Sequence, residues 1–364
     1  MSETAWQPVI LIPSLEPDDR LPAYVERLRE NGFPRVVVVD DGSGPKYRPI
    51  FDRIAALEGC AVLRHEVNRG KGAGLRTGYQ YIREQMPDAG AVITADADGQ
   101  HTVEDVRKVS EALRAGGDAL YLGSRDFSLP NVPPKSRSGN RITSAVFKLL
   151  YGVWLPDTQT GLRAFRREEL AFMEGIEGDR YEYEMNVLIA CARRRLPMIP
   201  VTIETVYEND NEGSHFHPIR DSWRIYKVIL GGFFRFMGAS IVCFLLDQGL
   251  AAVLREWLLP LMGVTDVAAI WVSGLAARLV SAMVNFALNK NLVFRLKGDT
   301  KGSAVRYAVL CVAIICLSNA GVWLLSRLGV ASWLAKMLCD FLLYFVSYRV
   351  QQDWVFAESG KKEG

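Results

Sequence analysis

Residues 91–101 read AVITADADGQH: an apolar and β-branched run, then Asp96, Asp98, Gln100 and His101 close together. A short run without polar alternation is how a strand covered on both faces is written. In extended chain, side chains two apart point the same way, so Asp96 and Asp98 present two carboxylates in one direction where the strand ends. Hard oxygen donors so placed suit a divalent cation, Mg2+ or Mn2+, that itself grips phosphate oxygens. An ordinary acidic turn would be spelled with the same letters. An EF-hand loop is excluded, because Gly99 stands where a third acidic ligand is needed.

Outward from this stretch, VILIP, RVVVVDD, AVLRHE and DALYLGSR repeat the strand pattern between residues 8 and 125. They alternate with segments of helical period: LPAYVERLREN, YRPIFDRIAALEG, LRTGYQYIREQM and TVEDVRKVSEALRAG. Such alternation predicts a Rossmann-like, open, mostly parallel sheet with helices on both faces. Ligands bind such sheets beyond the carboxyl ends of the strands. Pro13 to Glu16, Asp40 to Ser43, Asp96 to His101 and Gly123 to Arg125 stand there. Asp40 and Asp41 end a strand that can neighbour the first, where a carboxylate can accept from a ribose or a base; Asp-Gly is also a common turn. NRGKGAGLRTG, residues 68–78, satisfies neither the P-loop nor the GxGxxG pattern. It remains a glycine-rich entry to a helix, with Arg69 and Lys71 beside bare N–H groups that favour an anion, or else a close helix-to-strand contact through Gly72 and Gly74.

The 364 residues suffice for two domains, and a net charge of +2 gives no reason to expect a nucleic-acid partner. Charge crowds the first 230 positions, whereas four later stretches, about 236–254, 267–289, 304–325 and 332–352, are long and apolar enough to be membrane spans. The six cysteines show no CxxC spacing and suggest neither disulfides nor zinc. The N-terminus lacks the basic and apolar regions of a signal peptide. Lys290, Arg295, Lys297, Lys301 and Arg306 crowd the loop after the second span, so the positive-inside rule puts that loop, both termini and the first domain on the cytoplasmic side of the cell (inner) membrane.

The ordered set IPSLEP, DDGS, NRGKG, DADGQH, GSR, DTQTGLRAF and YEYE, spanning roughly residues 8–220, resembles the dolichyl-phosphate mannose synthase branch of glycosyltransferase family 2. The membrane part resembles the GtrA-like four-helix domain, best at NFALNKNLVF. The resemblance implies a GT-A catalytic domain over residues 1–217 and an all-α four-helix transmembrane domain over 236–357. It also implies that Asp96, Asp98 and Gln100 hold a divalent metal on a nucleotide-diphosphate sugar of the UDP-glucose or GDP-mannose type. Pro13, Glu16, Asp40, Asp41 and Lys71 then belong to the nucleotide-sugar site, and Arg125 meets phosphate. Inversion at the anomeric carbon follows from the resemblance alone.

A polyprenyl phosphate acceptor is already anionic and needs positioning rather than a base. The segment 124–166 supplies cations for it: Arg125, Lys135, Arg137, Arg141, Arg163 and Arg166. A solvated basic face would look the same. Asp98, Arg125 and Arg137 are the expected catalytic set, with Arg125, Arg137, Arg141 and His215 on the lipid phosphate. The sequence departs from the family near VYENDNEGSHFHPIRDS, where His215, His217 and Arg220 are the nearest candidates for a late basic residue. Residues 218–235 alternate Arg220, Arg224 and Lys227 with apolar positions, as an interfacial helix would. A rival reading makes the membrane domain the active part, a flippase or assembly module for lipid-linked sugar. A homo-oligomer is left open.

NKNLVF ending at Phe294 and QQDWVF ending at Phe356 suggest two similar hairpins. Counting back sixteen residues from each places Arg278 and Asp340 at one depth, so Arg278 is expected to meet Asp340 or, failing that, Asp247.

Overall fold

The computed structural model describes residues 6–129, 132, 134–204, 218–264, 266–294, 296 and 298–357, without the side chains of Lys135, 218–222, Arg224 and Asp266. His215 and His217 therefore lie outside the described residues, as do the side chains of Arg220 and Lys135. The chain divides into two compact units, Met1–Ile229 and Leu230–Gly364.

In the first unit, strands β1 (Pro8–Ser14), β2 (Val36–Asp40), β3 (Cys60–Arg64), β4 (Ala91–Thr94), β5 (Leu120–Arg125), β6 (Arg163–Arg166) and β7 (Met198–Ile203) form one sheet in the order β3-β2-β1-β4-β6-β5-β7. Helices α1 (Arg20–Glu30), α2 (Arg48–Ala55), α3 (Lys71–Gln85), α4 (Val103–Ala115), α5 (Pro134–Tyr151), α6 (Leu170–Glu174) and α7 (Glu182–Arg194) connect them. β2 is buried at every position, as its unbroken valine run requires, and each such side chain contributes about 1.5–3 kcal/mol by leaving water.

The expected sheet is there, with two additions. β6 runs antiparallel between β4 and β5, and β7 extends the sheet beyond β5. Both escape a reading of periodicity. β6 has only four residues, RAFR, its ends arginines, and β7 carries a proline, which fits a strand at the sheet's edge. The strand order reverses between β1 and β4, so the carboxyl ends of those strands flank the switch point where open sheets bind ligands. α3 lies close on β1, because Gly78 offers no Cβ: one added there would stand 2.2 Å from Leu11 Cδ1.

Residues 218–235 do not form a separate helix. They begin α8 (Pro218–Val253), one continuous helix of 36 residues. Its first turns are tied to α5, where Tyr226 Oη lies 3.1 Å from Thr143 Oγ1 and Tyr151 Oη donates to the Ile229 carbonyl at 2.8 Å.

The second unit continues through α8, the short α9 (Leu259–Leu261), α10 (Asp266–Leu288), α11 (Thr300–Arg327) and α12 (Ser332–Val350). Among the described residues three helical segments are long and apolar enough to cross a membrane: Ile225–Leu261, Val267–Val293 and Thr300–Arg327. The expected fourth, α12, has 19 residues but carries Lys336, Asp340 and Arg349, which dilute its apolar run.

Two hairpins of similar build are present. NKNLV and QQDWV each form a π-helical turn, closed by Phe294 N–H to the Asn289 carbonyl at 2.9 Å and Phe356 N–H to the Gln351 carbonyl at 2.8 Å. Equivalent residues meet each other: Phe294 and Phe356 stack at 5.1 Å, and Asn289 Nδ2 donates to Gln351 Oε1 at 2.9 Å. Cross-contacts repeat as well, with Phe294–Tyr348 centroids at 5.8 Å and Phe356–Phe286 at 5.7 Å. Arg278 finds its second-choice partner, Asp247, at 3.3 Å. Asp340 is held on its own hairpin by Lys336 at 2.8 Å and Ser318 Oγ at 2.7 Å. A lysine one turn away on the same helix needs no interhelical reach, so the local pair wins.

Candidate active site

β4 hands the chain to the site. Ala95 N–H still reaches the Leu11 carbonyl at 3.0 Å, and the chain leaves the sheet at Asp96. The following turn is closed by Asp96 N–H to His101 Nδ1 at 3.2 Å and Gln100 N–H to Asp98 Oδ1 at 3.0 Å, with Gly99 at φ +76°. Asp96, Asp98 and Gln100 stand on this one turn, all half-buried. Gly161 seats the Asp96 carboxylate: a Cβ there would lie 2.4 Å from Oδ2.

Lys71, the first residue of α3, points its ammonium at Asp96 Oδ1, 2.7 Å away, and at Glu184 Oε1, 2.9 Å away. The neighbouring acids are pushed apart. Burial would raise the Asp96 carboxyl, but Lys71, then His101 and Arg125, overcome this and hold it at about 2. Burial raises the Asp98 carboxyl, and the Asp96 charge adds to that rise. For Lys71, burial opposes the charge, yet Asp96 and Glu184 together keep its pKa above the ordinary lysine value.

At the end of β2 the acids are used differently. Asp41 Oδ1 accepts from His65 Nδ1 at 2.7 Å and from Arg69 N–H at 2.9 Å, and Oδ2 accepts from Gly70 N–H at 2.7 Å. The anion that these two N–H groups of the glycine-rich loop hold is the chain's own carboxylate, Asp41. His65 Nε2 is in turn 2.9 Å from Thr77 Oγ1, locking the loop to α3. Asp40 Oδ1 caps the turn through Ser43 N–H at 2.9 Å, and Ser43 Oγ accepts from Glu16 N–H at 2.8 Å. Glu16 is exposed in the left-handed region at φ +49°, and Pro13 is buried beside α3, 3.4 Å from where a Gly74 Cβ would stand. Of the two glycines of the helix-to-strand alternative, Gly74 does face strands, Pro13 of β1 and Val39 of β2, whereas the close neighbour of Gly72 is Tyr183 of α7.

The cations sort into two groups. Arg125 forms a bidentate pair with buried Asp157, Nε to Oδ2 at 2.7 Å and Nη2 to Oδ1 at 3.2 Å. Arg137 and Arg141 are exposed on α5, Arg137 donating to the Leu129 carbonyl at 2.8 Å. Arg163 and Arg166 are withdrawn from the expected phosphate set by structural bonds. Arg163 is buried, donating to the Thr160 and Glu184 carbonyls at 3.0 and 2.8 Å, and Arg166 donates to the Gly116 carbonyl at 2.9 Å.

Glu184, Asp157 and His65 were not predicted as site residues. Glu184 and Asp157 lie in YEYE and DTQTGLRAF, so the motifs named the segments but not the partners. The residues present fit a divalent metal: two carboxylates and an amide oxygen are hard donors, and the crowding of Asp96 and Asp98 is a tension that a cation relieves. No group of three or more His, Cys, Asp or Glu among the described residues forms a metal cage, and Mg2+ commonly takes one or two carboxylates plus substrate phosphates instead.

Family models describe both parts of the chain: glycosyl transferase family 2 matches residues 9–171, and the GtrA/DPMS transmembrane domain matches 235–356. An uncharacterized protein of Methanocaldococcus jannaschii is 32% identical over 225 residues, covering 61% of this chain and 90% of that one. The UDP-N-acetylglucosamine–dolichyl-phosphate N-acetylglucosaminyltransferase of Methanococcus voltae is 27% identical over 215 residues, covering 54% and 85%. The polyprenol monophosphomannose synthase of Mycolicibacterium smegmatis is 30% identical over 177 residues, covering 44% and 62%.

Proposed function

The chain belongs to glycosyl transferase family 2, and we propose that it is an integral membrane hexosyltransferase that moves a sugar from a nucleotide diphosphate to polyprenyl phosphate, with inversion, at the cytoplasmic face. The observation that carries this reading is the crowded Asp96–Asp98 pair at the switch point of the sheet, in a chain that also holds a GtrA/DPMS membrane domain. One named relative is an N-acetylglucosaminyltransferase to dolichyl phosphate and another a polyprenol monophosphomannose synthase; the sugars differ while a phosphate-linked polyprenol lipid is common to both, which supports the acceptor class more than any one donor.

Asp96, Asp98 and the Gln100 amide would hold Mg2+ or Mn2+, which when bound neutralises charge on the departing diphosphate. Lys71 keeps Asp96 ionised and turned into the site. Glu16, just beyond β1, Asp40 and Asp41, where β2 ends, and Pro13 in β1 would contribute to nucleoside binding. Arg125, fixed by Asp157, and the exposed Arg137 and Arg141 orient the acceptor phosphate, whose oxygen needs no deprotonation before it attacks the anomeric carbon. His215 is proposed as a further contact to that phosphate, from outside the described residues.

The test is transfer by the full chain in lipid nanodiscs, with UDP- and GDP-linked hexoses offered against undecaprenyl phosphate and undecaprenol in Mg2+ or Mn2+. A phosphate-linked hexose lipid by mass spectrometry is expected from the phosphate alone. Transfer to the alcohol, or to neither acceptor with any donor, overturns the reading.

A further inference from the structure

Lys71 is shared. Its ammonium touches one carboxylate at the end of β4 and another in the first turn of α7, each within 3 Å, and all three groups are largely shielded from water. One ammonium is thus divided between two carboxylates, Asp96 and Glu184, while Asp98 stands two residues from Asp96. Arg125, the nearby arginine, is engaged by Asp157. Glu184, which is on none of the expected ligand lists, holds the same ammonium as the expected metal ligand Asp96.

A cation arriving on Asp96 would stand beside the Lys71 ammonium, and like charges at such range in a poorly hydrated site repel strongly. The ammonium needs another carboxylate to lean on, and Glu184 is already in contact with it. Gly161 and the Arg163 guanidinium shape the surroundings: the first leaves space for the Asp96 carboxylate by having no Cβ, and the second holds the Glu184 backbone carbonyl.

We propose that Glu184 is a positioning residue for metal binding: it draws the Lys71 ammonium away when a divalent cation takes Asp96, so that lysine and metal do not compete for one carboxylate. The inference rests on the proposed metal site and deepens it. In the absence of metal the lysine spans both acids and keeps the site assembled; in its presence the lysine pairs with Glu184 alone.

The experiment is Mn2+ binding to the full chain in nanodiscs, followed by the electron paramagnetic resonance of free Mn2+ with UDP or GDP present. Wild type, Asp98→Ala, Glu184→Gln, Lys71→Met and the Glu184→Gln/Lys71→Met double variant are compared. Glu184→Gln is expected to weaken Mn2+ about tenfold, as a coupling of ordinary size would. In the Lys71→Met background the same change is expected to do little, since no lysine is left to relocate. Equal weakening in both backgrounds, or none in the wild-type background, overturns the proposal. Wild-type binding that is absent, or indifferent to Asp98→Ala, overturns the metal reading and this inference with it. If thermal unfolding shows Glu184→Gln to be misfolded, Glu184→Asp keeps the charge and shortens the reach: weaker Mn2+ binding dependent on Lys71 supports the proposal, and unchanged binding overturns it.

Discussion

Two strand ends in the same sheet carry paired acids and treat them in opposite ways. At the end of β2, Asp41 lies buried with backbone N–H groups and an imidazole on its oxygens, and the loop wraps around it. At the end of β4, Asp96 leans on a mobile type of partner, a lysine ammonium, while Asp98 accepts a local N–H and feels its neighbour's charge. A carboxylate whose bonds come from the fixed backbone is part of the scaffold. One whose balance depends on movable charges can accept a ligand without unmaking the fold.

The sharpest way to break that contrast is to remove one acid from each end. Asp98→Ala is expected to lower transfer about a thousandfold, the loss typical of a missing electrostatic contact to developing charge, while the unfolding midpoint stays near wild type. Asp41→Ala should do the reverse in kind, costing about 3 kcal/mol of stability because several buried donors lose their acceptor. Activity and thermal unfolding measured on both variants decide the matter. An unstable Asp98→Ala, or a stable but inactive Asp41→Ala, would exchange the roles given to the two strand ends.

The same contrast explains what could be read from the sequence. The carboxyl ends of β1, β2, β4 and β5 were legible because strand runs and polar termini are local, and so were Asp96, Asp98 and Gln100 as a group. Partners were not. Nothing near Asp41 in sequence announces that Arg69 and Gly70 N–H groups will close on it, and nothing near Lys71 announces Glu184. Arg163 and Arg166 read as phosphate ligands because an arginine's commitment to a distant carbonyl leaves no mark in the neighbouring residues. In the membrane unit, repeat and depth were legible, whereas the choice between Asp340 and Asp247 turned on a lysine of the same helix that the depth count ignored.

Arg137 tests the exposed side of the comparison. It is held by one carbonyl contact and otherwise faces solvent, so its loss should leave folding unchanged. Arg137→Ala is expected to raise the KM for polyprenyl phosphate about tenfold, one charge-assisted bond's worth, with the donor KM unmoved. Steady-state kinetics with each substrate varied in turn give the answer; equal effects on both would make Arg137 surface charge.

The smallest effect is expected in the membrane unit, where Asp247, like Asp41, is buried with several donors, here all of them side chains. Its oxygens take Ser281 Oγ at 3.2 Å, Gln248 Nε2 at 3.2 Å and the Arg278 guanidinium at 3.3 Å. The arginine is exposed on its helix, and only one of these bonds comes from it. A carboxylate with neutral donors besides its cation loses less when the cation goes, and polar pairs between membrane helices average only about 0.6 kcal/mol in double-mutant cycles. Arg278→Gln, Asp247→Asn and the double variant should therefore show a coupling of about that size when unfolding is followed in nanodiscs or mild detergent. A coupling several times larger would mean that Arg278 is the principal support of a buried charge. Asp247 would then belong with Asp96, dependent on a movable cation, rather than with Asp41.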